Sequence, residues 1–381
     1  MEFAFSPEQE ALRDMLRTFV AKEVRPKAHT WDTTGEFPGE TVARLGGLGI
    51  LGAMVPEEYG GSGMDTVSYA LAVEEIGKGD GSLGLTVASH NSLCVSHILS
   101  FGSEEIKRRY LPDLASGRKL GAWGLTEPGS GSDSLSMRTR AERKGDRWVI
   151  NGSKMFITQG SVAGVYVILA VTDKEKGKDG ITAFVAPSGA KGLSVGRKLH
   201  KLGMCSSDTA ELVFEDLEVG PEAVVGRVNS GFRDTMKNLA GGRISIAALS
   251  MGIGLGAMQE ALAYARERTQ FGRPIADFQA IQWMFAEMAT ELEAAELMTF
   301  RAAALKDSGR PYVQEAAMAK LFASEAAMRG TIKAVQIFGG YGYTQEYPAE
   351  RYMRDAKLCE IGEGTSEVQR IIIARNLIRG R

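Results

Sequence analysis

The sequence predicts an α+β protein that is mainly α, with three domains in series. Residues 1–120 are predicted to form an N-terminal helical domain, residues 121–228 a small antiparallel β domain, and residues 229–381 a C-terminal four-helix-bundle domain. Two changes in the spacing of apolar residues indicate these boundaries: a helical period gives way to strand-like segments near residue 121 and returns after Gly226. Several long amphipathic segments joined by short loops are typical of a helical bundle.

The composition is that of an ordinary soluble globular protein, with 44% hydrophobic and 24% charged residues in 381. A net charge of -2 offers no basic field for nucleic acid. No apolar run approaches the roughly 18 residues that span a membrane, and the N-terminus lacks a signal pattern. Three cysteines without a CxxC pair and four histidines without ligand spacing argue against disulfides and metal sites. We therefore expect a cytoplasmic protein with no metal.

The N-terminal helices are predicted from caps and apolar spacing. The segment 6–9 combines a serine N-cap, a proline in the first turn and a capping-box glutamine. Pro26 is expected to stop or bend the helix that follows this segment. Further helices are predicted over residues 41–48, 66–78, 83–99 and 104–114.

The middle of the chain reads as short strands separated by turn signals. Asn151-Gly152 is a strong hairpin-turn dipeptide, so residues 147–150 and 154–158 are predicted to form a hairpin. Other strands are predicted over residues 165–172, 181–186, 193–195 and 210–214.

The last third is predicted to begin with one long helix from Arg243 to Arg268. Gly272-Arg273-Pro274 breaks this helix, Asp277 is expected to cap a second one and Pro311 to open a third. A short helix after Pro348 then leads into a loop and a final helix.

One carboxylate in this loop, Glu363, lies between Gly362 and Gly364. An amphipathic run follows directly, and Thr365 is a suitable N-cap for it. A helix N-terminus stabilises negative charge, so we expect Glu363 to be ionised and able to accept a proton. On this stretch alone, a solvated turn glutamate is the simpler interpretation.

Two other segments could hold a ligand. The loop over residues 126–133 exposes glycines and hydroxyl groups, which can cradle a phosphate or the polar edge of a ring. It is neither a Walker loop nor a GxGxxG loop, and a plain domain-boundary loop is an equally good interpretation. Phe156 and Thr158 lie two residues apart on a predicted strand, so they should share a face that could back a planar ring. A core residue beside an edge threonine is the alternative.

Five segments in this order resemble the acyl-CoA dehydrogenase family, over essentially the whole chain. They are WGLTEPGSGSD at 123–133, KMFIT at 154–158, ERTQFG at 267–272, QIFGGYG at 336–342 and EGTSE at 363–367. The resemblance implies the fold of that family and an FAD-dependent oxidation of an acyl-CoA thioester to the trans-2-enoyl-CoA. Glu363 would take the pro-R α-proton while the β-hydrogen leaves as hydride to flavin N5.

The resemblance also implies a set of binding residues. Those expected to line the FAD are Trp123, Leu125, Thr126, Ser132, Phe156 and Thr158. Those expected to bind the FAD of a neighbouring subunit, or its adenine-dinucleotide end, are Arg268, Phe271, Gln279, Gln336, Ile337, Gly339, Gly340, Thr365 and Glu367. Those expected to contact the acyl-CoA are Ser132, Arg243 and Gly364.

A site shared between subunits makes a dimer obligatory, and the family is usually a homotetramer built as a dimer of dimers. Electrons would pass to an electron-transfer flavoprotein. Fatty-acid metabolism by β-oxidation is the expected setting, although the sequence leaves the pathway and the acyl chain open.

Four positions depart from patterns common in the family. Some members place the catalytic glutamate directly before the arginine that matches Arg243; here that residue is Gly242, so Glu363 is expected to be the base. Ala240 and Cys205 replace an aspartate and an arginine, which puts CoA contacts in doubt. Gly362 replaces a tyrosine and is expected to leave room for branched or bulkier acyl groups.

Three other interpretations compete with a dehydrogenase. An acyl-CoA oxidase of the same fold would produce hydrogen peroxide from substrate and air alone. A flavin monooxygenase of this group generally lacks the catalytic glutamate, so Glu363 weighs against it. A non-catalytic scaffold would stay colourless with added FAD.

Overall fold

The computed structural model describes residues 4–380 and begins with a set of helices. These are α1 (Pro7–Phe19), α2 (Arg25–Thr34), α3 (Gly39–Gly47), α4 (Thr66–Gly77), α5 (Gly81–Ser89), α6 (Ser96–Phe101) and α7 (Glu104–Ala115). The predicted capping box at Ser6 is confirmed, because its side chain accepts from the Gln9 N–H and the Gln9 side chain accepts from the Ser6 N–H.

Two predicted helices in this region are interrupted by π-helical segments. The first helix continues past Phe19 as a π-helical turn over Val20–Val24, and Pro26 lies in the first turn of α2 rather than at a stop. Proline is tolerated there because the first N–H groups of a helix have no intrahelical partner. The predicted helix over 83–99 is divided by a second π-helical segment, His90–Val95, between α5 and α6.

The middle region is one eight-stranded sheet. Its strands are β1 (Gly121–Gly124), β2 (Arg140–Lys144), β3 (Arg147–Thr158), β4 (Val165–Val171), β5 (Ile181–Pro187), β6 (Leu193–Lys198), β7 (Thr209–Val219) and β8 (Val224–Val225). Their order is β6-β7-β3-β2-β4-β5-β8, with β1 beside β4. Pairing is antiparallel except that β4 runs parallel to β1 and, at one residue pair, to β2.

The predicted hairpin turn at Asn151-Gly152 is wrong. Both residues lie inside β3, where the pairing with β7 shifts register and Gly152 has φ +142°. Asn151 Oδ1 accepts from the Asp216 N–H at 2.9 Å, and its Nδ2 donates to Asp216 Oδ1 at 3.1 Å. The turn lies instead at Gly145, between β2 and β3. Glycine tolerates unusual backbone angles in a bulge as well as in a turn, so the dipeptide alone does not distinguish the two.

The last region is helical, with one short β ribbon. Its elements are α8 (Gly231–Glu267), β9 (Thr269–Gln270), β10 (Arg273–Pro274), α9 (Gln279–Asp307), α10 (Val313–Phe338), α11 (Ala349–Cys359) and α12 (Ser366–Arg379). Helix α8 begins well before the predicted start at Arg243. Asp277 does not cap α9, whose N-cap position is Phe278 and has no side-chain cap.

Helix α8 is also more apolar than expected. An 18-residue window has a mean hydropathy of 1.3, so by length and composition the helix could cross a membrane, and the expectation of no such segment was wrong. However, 67% of that window is buried inside the protein. A buried central helix of a globular protein has the same composition, because it must be apolar all round.

Two hydrophobic cores cross the three predicted domains. The first joins helices from both ends of the chain, and it contains Leu16 of α1, Val73 of α4 and Leu249 of α8. The second joins α7 to the sheet, and it contains Leu111 of α7 and Val167 of β4. The N-terminal helices are therefore divided between two cores and do not form one of their own.

Candidate functional site

The loop between α11 and α12 holds Glu363 in a constrained conformation. Thr365 caps α12 as predicted, its Oγ1 accepting from the Val368 N–H at 3.4 Å. Glu363 has φ +54° and Gly364 has φ +95°, so both lie in the left-handed region. A left-handed residue other than glycine costs of order 1–3 kcal/mol and persists where its surroundings fix it, often at functional sites.

Two side chains fix this turn through a single atom. Lys320 Nζ and Gln369 Nε2 each donate to the carbonyl oxygen of Gly364 at 2.8 Å. Both side chains are fully buried. Neither was predicted from the sequence, because Lys320 reaches the loop from α10 and carries no local signal.

The Glu363 carboxylate is buried and has no hydrogen-bond partner among residues 4–380. It packs on the backbone of α8, where a Cβ added to Gly242 would lie 2.0 Å from Oε2. Burial raises the pKa of Glu363 to about 7, although Lys320 and Arg243 act in the opposite direction. The pKa of Glu363 therefore lies above that of an exposed glutamate, whereas the helix N-terminus alone predicted an ionised group.

Other polar groups surround this position without contacting the carboxylate. Ser245 Oγ donates to the Gly242 carbonyl oxygen at 2.7 Å and lies 3.1 Å from Ser92 Oγ. Tyr69 donates to the Ala88 carbonyl oxygen at 3.1 Å, and burial raises its pKa. Sequence reasoning missed these hydroxyl groups, because they come together from separate helices.

Arg243 follows Gly242 on α8 and is 5% exposed. Its Nε has no hydrogen-bond partner among the described residues. A buried guanidinium with an unused donor is costly in isolation, and it suits the predicted contact with a polar substrate group.

A buried ion pair anchors the glycine- and serine-rich loop over residues 126–133. Lys154 Nζ donates to Glu127 Oε1 at 2.7 Å and to the Leu125 carbonyl oxygen at 3.0 Å. The Glu127 carboxylate also accepts from the backbone N–H groups of Arg138 and Thr139. Burial lowers the pKa of Lys154 to about 8, and Glu127 opposes this effect. Sequence reasoning placed both residues in motifs but missed the pair.

This anchoring leaves the tip of the loop open. An added Cβ at Gly129 or Gly131 would meet nothing within 4 Å, and Ser132 is exposed. Thr126 and Thr158 are half-buried. Phe156 sits in a bulge with φ +61° and is 65% exposed, so its ring is available to stack on a ligand.

Trp123 and Leu125 lie deeper than these residues, and both are buried. Trp123 Nε1 donates to His97 Nδ1 at 3.3 Å. The structure therefore gives these two residues a packing role in addition to any contact with a ligand.

A second group of predicted residues lies at the ends of the long helices. Phe271 has φ +52° and is 94% exposed. Arg268 lies over the ring of Tyr341 at 5.5 Å, which brings the segments after α8 and α10 together. The remaining exposed members are Gln279, Gln336, Gly339 and Gly340, whereas Ile337 is buried.

Thr365 is the N-cap of α12, and Glu367 lies in the first turn of that helix. The Thr365 hydroxyl serves as the cap, and Glu367 is exposed. Gly364 follows Glu363 directly, and its contact with substrate stays a prediction.

The two groups of residues offer the kinds of side chain that bind a dinucleotide with a flat ring system. The loop offers exposed glycines and hydroxyl groups, Phe156 and Phe271 offer protruding rings, and Arg268 offers an exposed guanidinium. Small polar loops and aromatic faces recognise phosphates and planar rings respectively. Among residues 4–380, no group of three or more His, Cys, Asp or Glu side chains could hold a metal ion.

Two surface cavities lie away from Glu363. One, of about 210 Å³, is lined by residues of α2 and α11, including His29 and Arg351. The other, of about 270 Å³, lies between α7 and the sheet, including Arg109 and Lys191. Neither is lined by a residue predicted to bind substrate or cofactor.

The four positions that depart from the family pattern have different surroundings in the structure. Gly242 makes room for the Glu363 carboxylate, and Ala240 is buried. Cys205 Sγ lies 3.6 Å from an Arg354 nitrogen, beside the Arg354–Asp32 ion pair. Burial raises the pKa of Cys205 to about 11, so the thiol is neutral. Beside Gly362 there is space, because an added Cβ would contact only the Leu358 carbonyl oxygen, at 3.5 Å.

Family models match almost the whole chain. The acyl-CoA dehydrogenase N-terminal domain matches residues 6–118, the middle domain residues 122–217 and the C-terminal domain residues 229–378.

Individual proteins match over the full length. The short-chain specific acyl-CoA dehydrogenase of Clostridium acetobutylicum is 50% identical over 379 residues, which is 100% of both chains. The structure of butyryl-CoA dehydrogenase from Megasphaera elsdenii superposes with a TM-score of 0.98 at 43% identity, covering 100% of both chains. A chain in a structure reported for the electron transferring flavoprotein of Acidaminococcus fermentans also has a TM-score of 0.98, at 47% identity and 100% coverage of both chains.

Proposed function

This chain belongs to the acyl-CoA dehydrogenase family, and from that premise we propose that Glu363 is the base of its reaction and that its substrates are short-chain acyl-CoA thioesters. The enzyme dehydrogenates an acyl-CoA between the α and β carbons, uses FAD and passes electrons to an electron-transfer flavoprotein. One observation carries the assignment of the base: the Glu363 carboxylate is buried against the backbone of Gly242, with no hydrogen-bond partner in the part of the chain that the structure describes.

Glu363 is suited to removing the α-proton of a thioester. Within the described range 4–380, its oxygens make no hydrogen bond that would have to break before a proton is accepted. A pKa of about 7 keeps enough carboxylate ionised while making it a stronger base than an exposed glutamate. Bound FAD supplies the acceptor for the β-hydride. Family resemblance assigns the Glu363 N–H to the thioester oxygen, where a donor stabilises developing enolate charge.

The short-chain assignment rests on the names of the matched relatives, which are short-chain specific and butyryl-CoA dehydrogenases. The space beside Gly362 suggested branched or bulkier acyl groups, and the relatives favour the short straight chain instead. Anaerobic bleaching of the flavin by a panel of acyl-CoAs of different length and branching tests the choice. Fastest bleaching by a long or branched thioester would reject the short-chain proposal.

The same preparation separates the competing activities. An oxidase would release hydrogen peroxide from acyl-CoA and air without added flavoprotein, and a scaffold would not retain FAD. A dehydrogenase reduces electron-transfer flavoprotein with little peroxide.

We also propose a homotetramer, with residues from a neighbouring subunit completing each FAD site. Large apolar side chains protrude from the C-terminal region: Phe271 in the turn between β9 and β10 is 94% exposed, Trp283 of α9 is 63% exposed and Ile378 of α12 is 85% exposed. Apolar side chains of this size and exposure would be covered in an interface between subunits. Light scattering should give about four times the 41.0 kDa chain mass, and a monomer would contradict the shared site. A cytoplasmic location and a role in β-oxidation complete the proposal.

The substitution Gly242→Ala should slow flavin reduction by about tenfold or more while FAD stays bound. The new Cβ would lie 2.0 Å from Glu363 Oε2, so the carboxylate must move. A displacement of about 1 Å in a catalytic group can cost roughly a hundredfold. Stopped-flow reduction with butyryl-CoA measures the effect. Gly362→Ala is the matched control, since its Cβ would make only an ordinary contact at 3.5 Å. Equal rates in the two variants would contradict this role of Gly242.

Flavin reduction at low acyl-CoA concentration should depend on pH with an acid limb near pH 7. Burial raises the pKa of Glu363 to about 7, and a protonated carboxyl cannot accept the α-proton. Below this pKa the rate constant should fall about tenfold per pH unit. Stopped-flow measurements at acyl-CoA concentrations far below saturation report the pKa values of the free enzyme. A profile that stays flat down to about pH 5.5 would show that Glu363 keeps an ordinary pKa of about 4.3.

A further inference from the structure

Lys320 is a buried cation that neither the family resemblance nor the reaction has so far required. It lies in the middle of α10 with 0% of its surface exposed. It makes no ion pair within residues 4–380, and its single hydrogen bond in this region goes from Nζ to the Gly364 carbonyl oxygen at 2.8 Å. Burying an ammonium group without a counterion is costly, so its position requires a compensating role.

The atom it contacts belongs to the turn that carries Glu363. Gly364 follows Glu363 directly, and both have left-handed backbone conformations. Gln369 Nε2 donates to the same carbonyl oxygen at 2.8 Å. Two donors on one carbonyl fix the peptide plane between Gly364 and Thr365, directly after the two left-handed residues. A turn fixed at this end maintains a backbone conformation that glutamate otherwise disfavours.

We propose that Lys320 is a positioning residue for Glu363, holding its left-handed turn through the Gly364 carbonyl and placing a positive charge beside the carboxylate. This inference rests on the proposed role of Glu363 as the base. The hydrogen bond orients the base, and the charge favours its ionised form.

The groups that face Glu363 come from three helices. Lys320 of α10 and Arg243 of α8 are the cations, and both lower the pKa of Glu363. Tyr69 of α4 faces it as a neutral phenol, because burial raises the tyrosine pKa. Of these groups, Lys320 alone also holds the turn.

The groups around Lys320 leave it as a cation. Burial lowers the pKa of Lys320 to about 8, and the Arg243 charge acts in the same direction. Cys359, Glu363 and Glu360 oppose this shift. Cys359 is a neutral thiol, since burial raises its pKa to about 11. Glu360 is paired with Lys357 at 2.5 Å. At neutral pH the ammonium therefore remains mostly protonated and acts on Glu363 without a competing permanent partner.

Lys320→Met and Gln369→Leu separate the charge from the hydrogen bond. Lys320→Met removes both, so the acid limb of flavin reduction should move up by about one pH unit, since a nearby opposite charge is worth about that much or more. At pH 7 this corresponds to a fall of roughly fivefold from protonation alone. Gln369→Leu removes one uncharged donor, so the rate of flavin reduction should fall while the acid limb of the pH profile stays in place.

Flavin content and melting temperature show whether each variant is folded. Lys320→Gln replaces Lys320→Met if the methionine variant does not fold.

Infrared titration of the Glu363 carboxyl provides a readout that does not depend on turnover. The band is assigned by its absence in Glu363→Gln, and its midpoint should rise in Lys320→Met and not in Gln369→Leu. A wild-type midpoint and a wild-type limb in folded Lys320→Met or Lys320→Gln would overturn the proposal. Failure of the proposed function would be seen separately, as normal flavin reduction by Glu363→Gln, whereas the infrared shift would still report on Lys320.

Discussion

Replacing Glu363 with glutamine should lower the rate of flavin reduction by acyl-CoA at least about a thousandfold, because the α-proton then has no acceptor. The enzyme should remain yellow and bind acyl-CoA. Glutamine has the same shape, and the carboxylate has no hydrogen-bond partner in residues 4–380 that the amide would lose. Stopped-flow reduction under anaerobic conditions measures the rate, and the flavin spectrum measures cofactor content.

Glu360→Gln is the matched control for this substitution. Glu360 lies three residues earlier in the same loop, but its carboxylate is paired with Lys357 on the surface side. The Lys357 side chain is 48% exposed and that of Glu360 17% exposed. A pair open to solvent on one side contributes little, so this variant should reduce its flavin at close to the wild-type rate. Near-normal flavin reduction by Glu363→Gln would reject Glu363 as the catalytic base. An equal loss of rate in both variants would indicate general damage to the loop.

Replacing Lys154 with methionine should lower the free energy of unfolding by about 3–5 kcal/mol, because Glu127 is left as an uncompensated buried charge. Lys154 is 0% exposed and Glu127 is 6% exposed. FAD affinity should fall as well, since this pair anchors the loop predicted to hold the cofactor. Urea unfolding followed by circular dichroism measures stability, and flavin fluorescence measures release of FAD.

Two further variants test the cause of this loss. Lys154→Met combined with Glu127→Gln should recover part of the stability, because no buried charge is then unpaired. Arg118→Met removes an ion pair with Asp113 in which the arginine is 63% exposed, and it should change stability by less than about 1 kcal/mol. A loss in Lys154→Met no larger than in Arg118→Met would contradict the importance of the buried pair.

Local signals in the sequence predicted the kinds of elements and their order. The caps at Ser6 and Thr365 were correct, because a cap depends on a few adjacent residues. The hairpin at Asn151-Gly152 was wrong, since the sheet decides whether a flexible dipeptide becomes a turn or a bulge. The start of α8 at Gly231 was missed, because tertiary burial rather than periodicity extends that helix.

The sequence predicted the site only where the functional residues lie close together in the chain. Glu363 was identified from its own loop and from the resemblance. The glycine at 242 was noted as a departure, yet its contact with the Glu363 carboxylate requires α8 to cross that loop. Lys320 arrives from a third segment, so nothing in its local sequence indicates a role. The predicted cofactor residues remain predictions that the cofactor-binding experiments can test.

The two cores that cross the domain boundaries have a consequence for synthesis on the ribosome. Gly77 of α4 and Gly84 of α5 are packed against the Leu249 side chain of α8, so the first helices cannot complete their core until α8 has emerged. Contacts between segments so distant in the chain slow folding and leave apolar surface uncovered in the nascent chain. The growing polypeptide should therefore depend on chaperones, and a truncated product that ends after the sheet should aggregate.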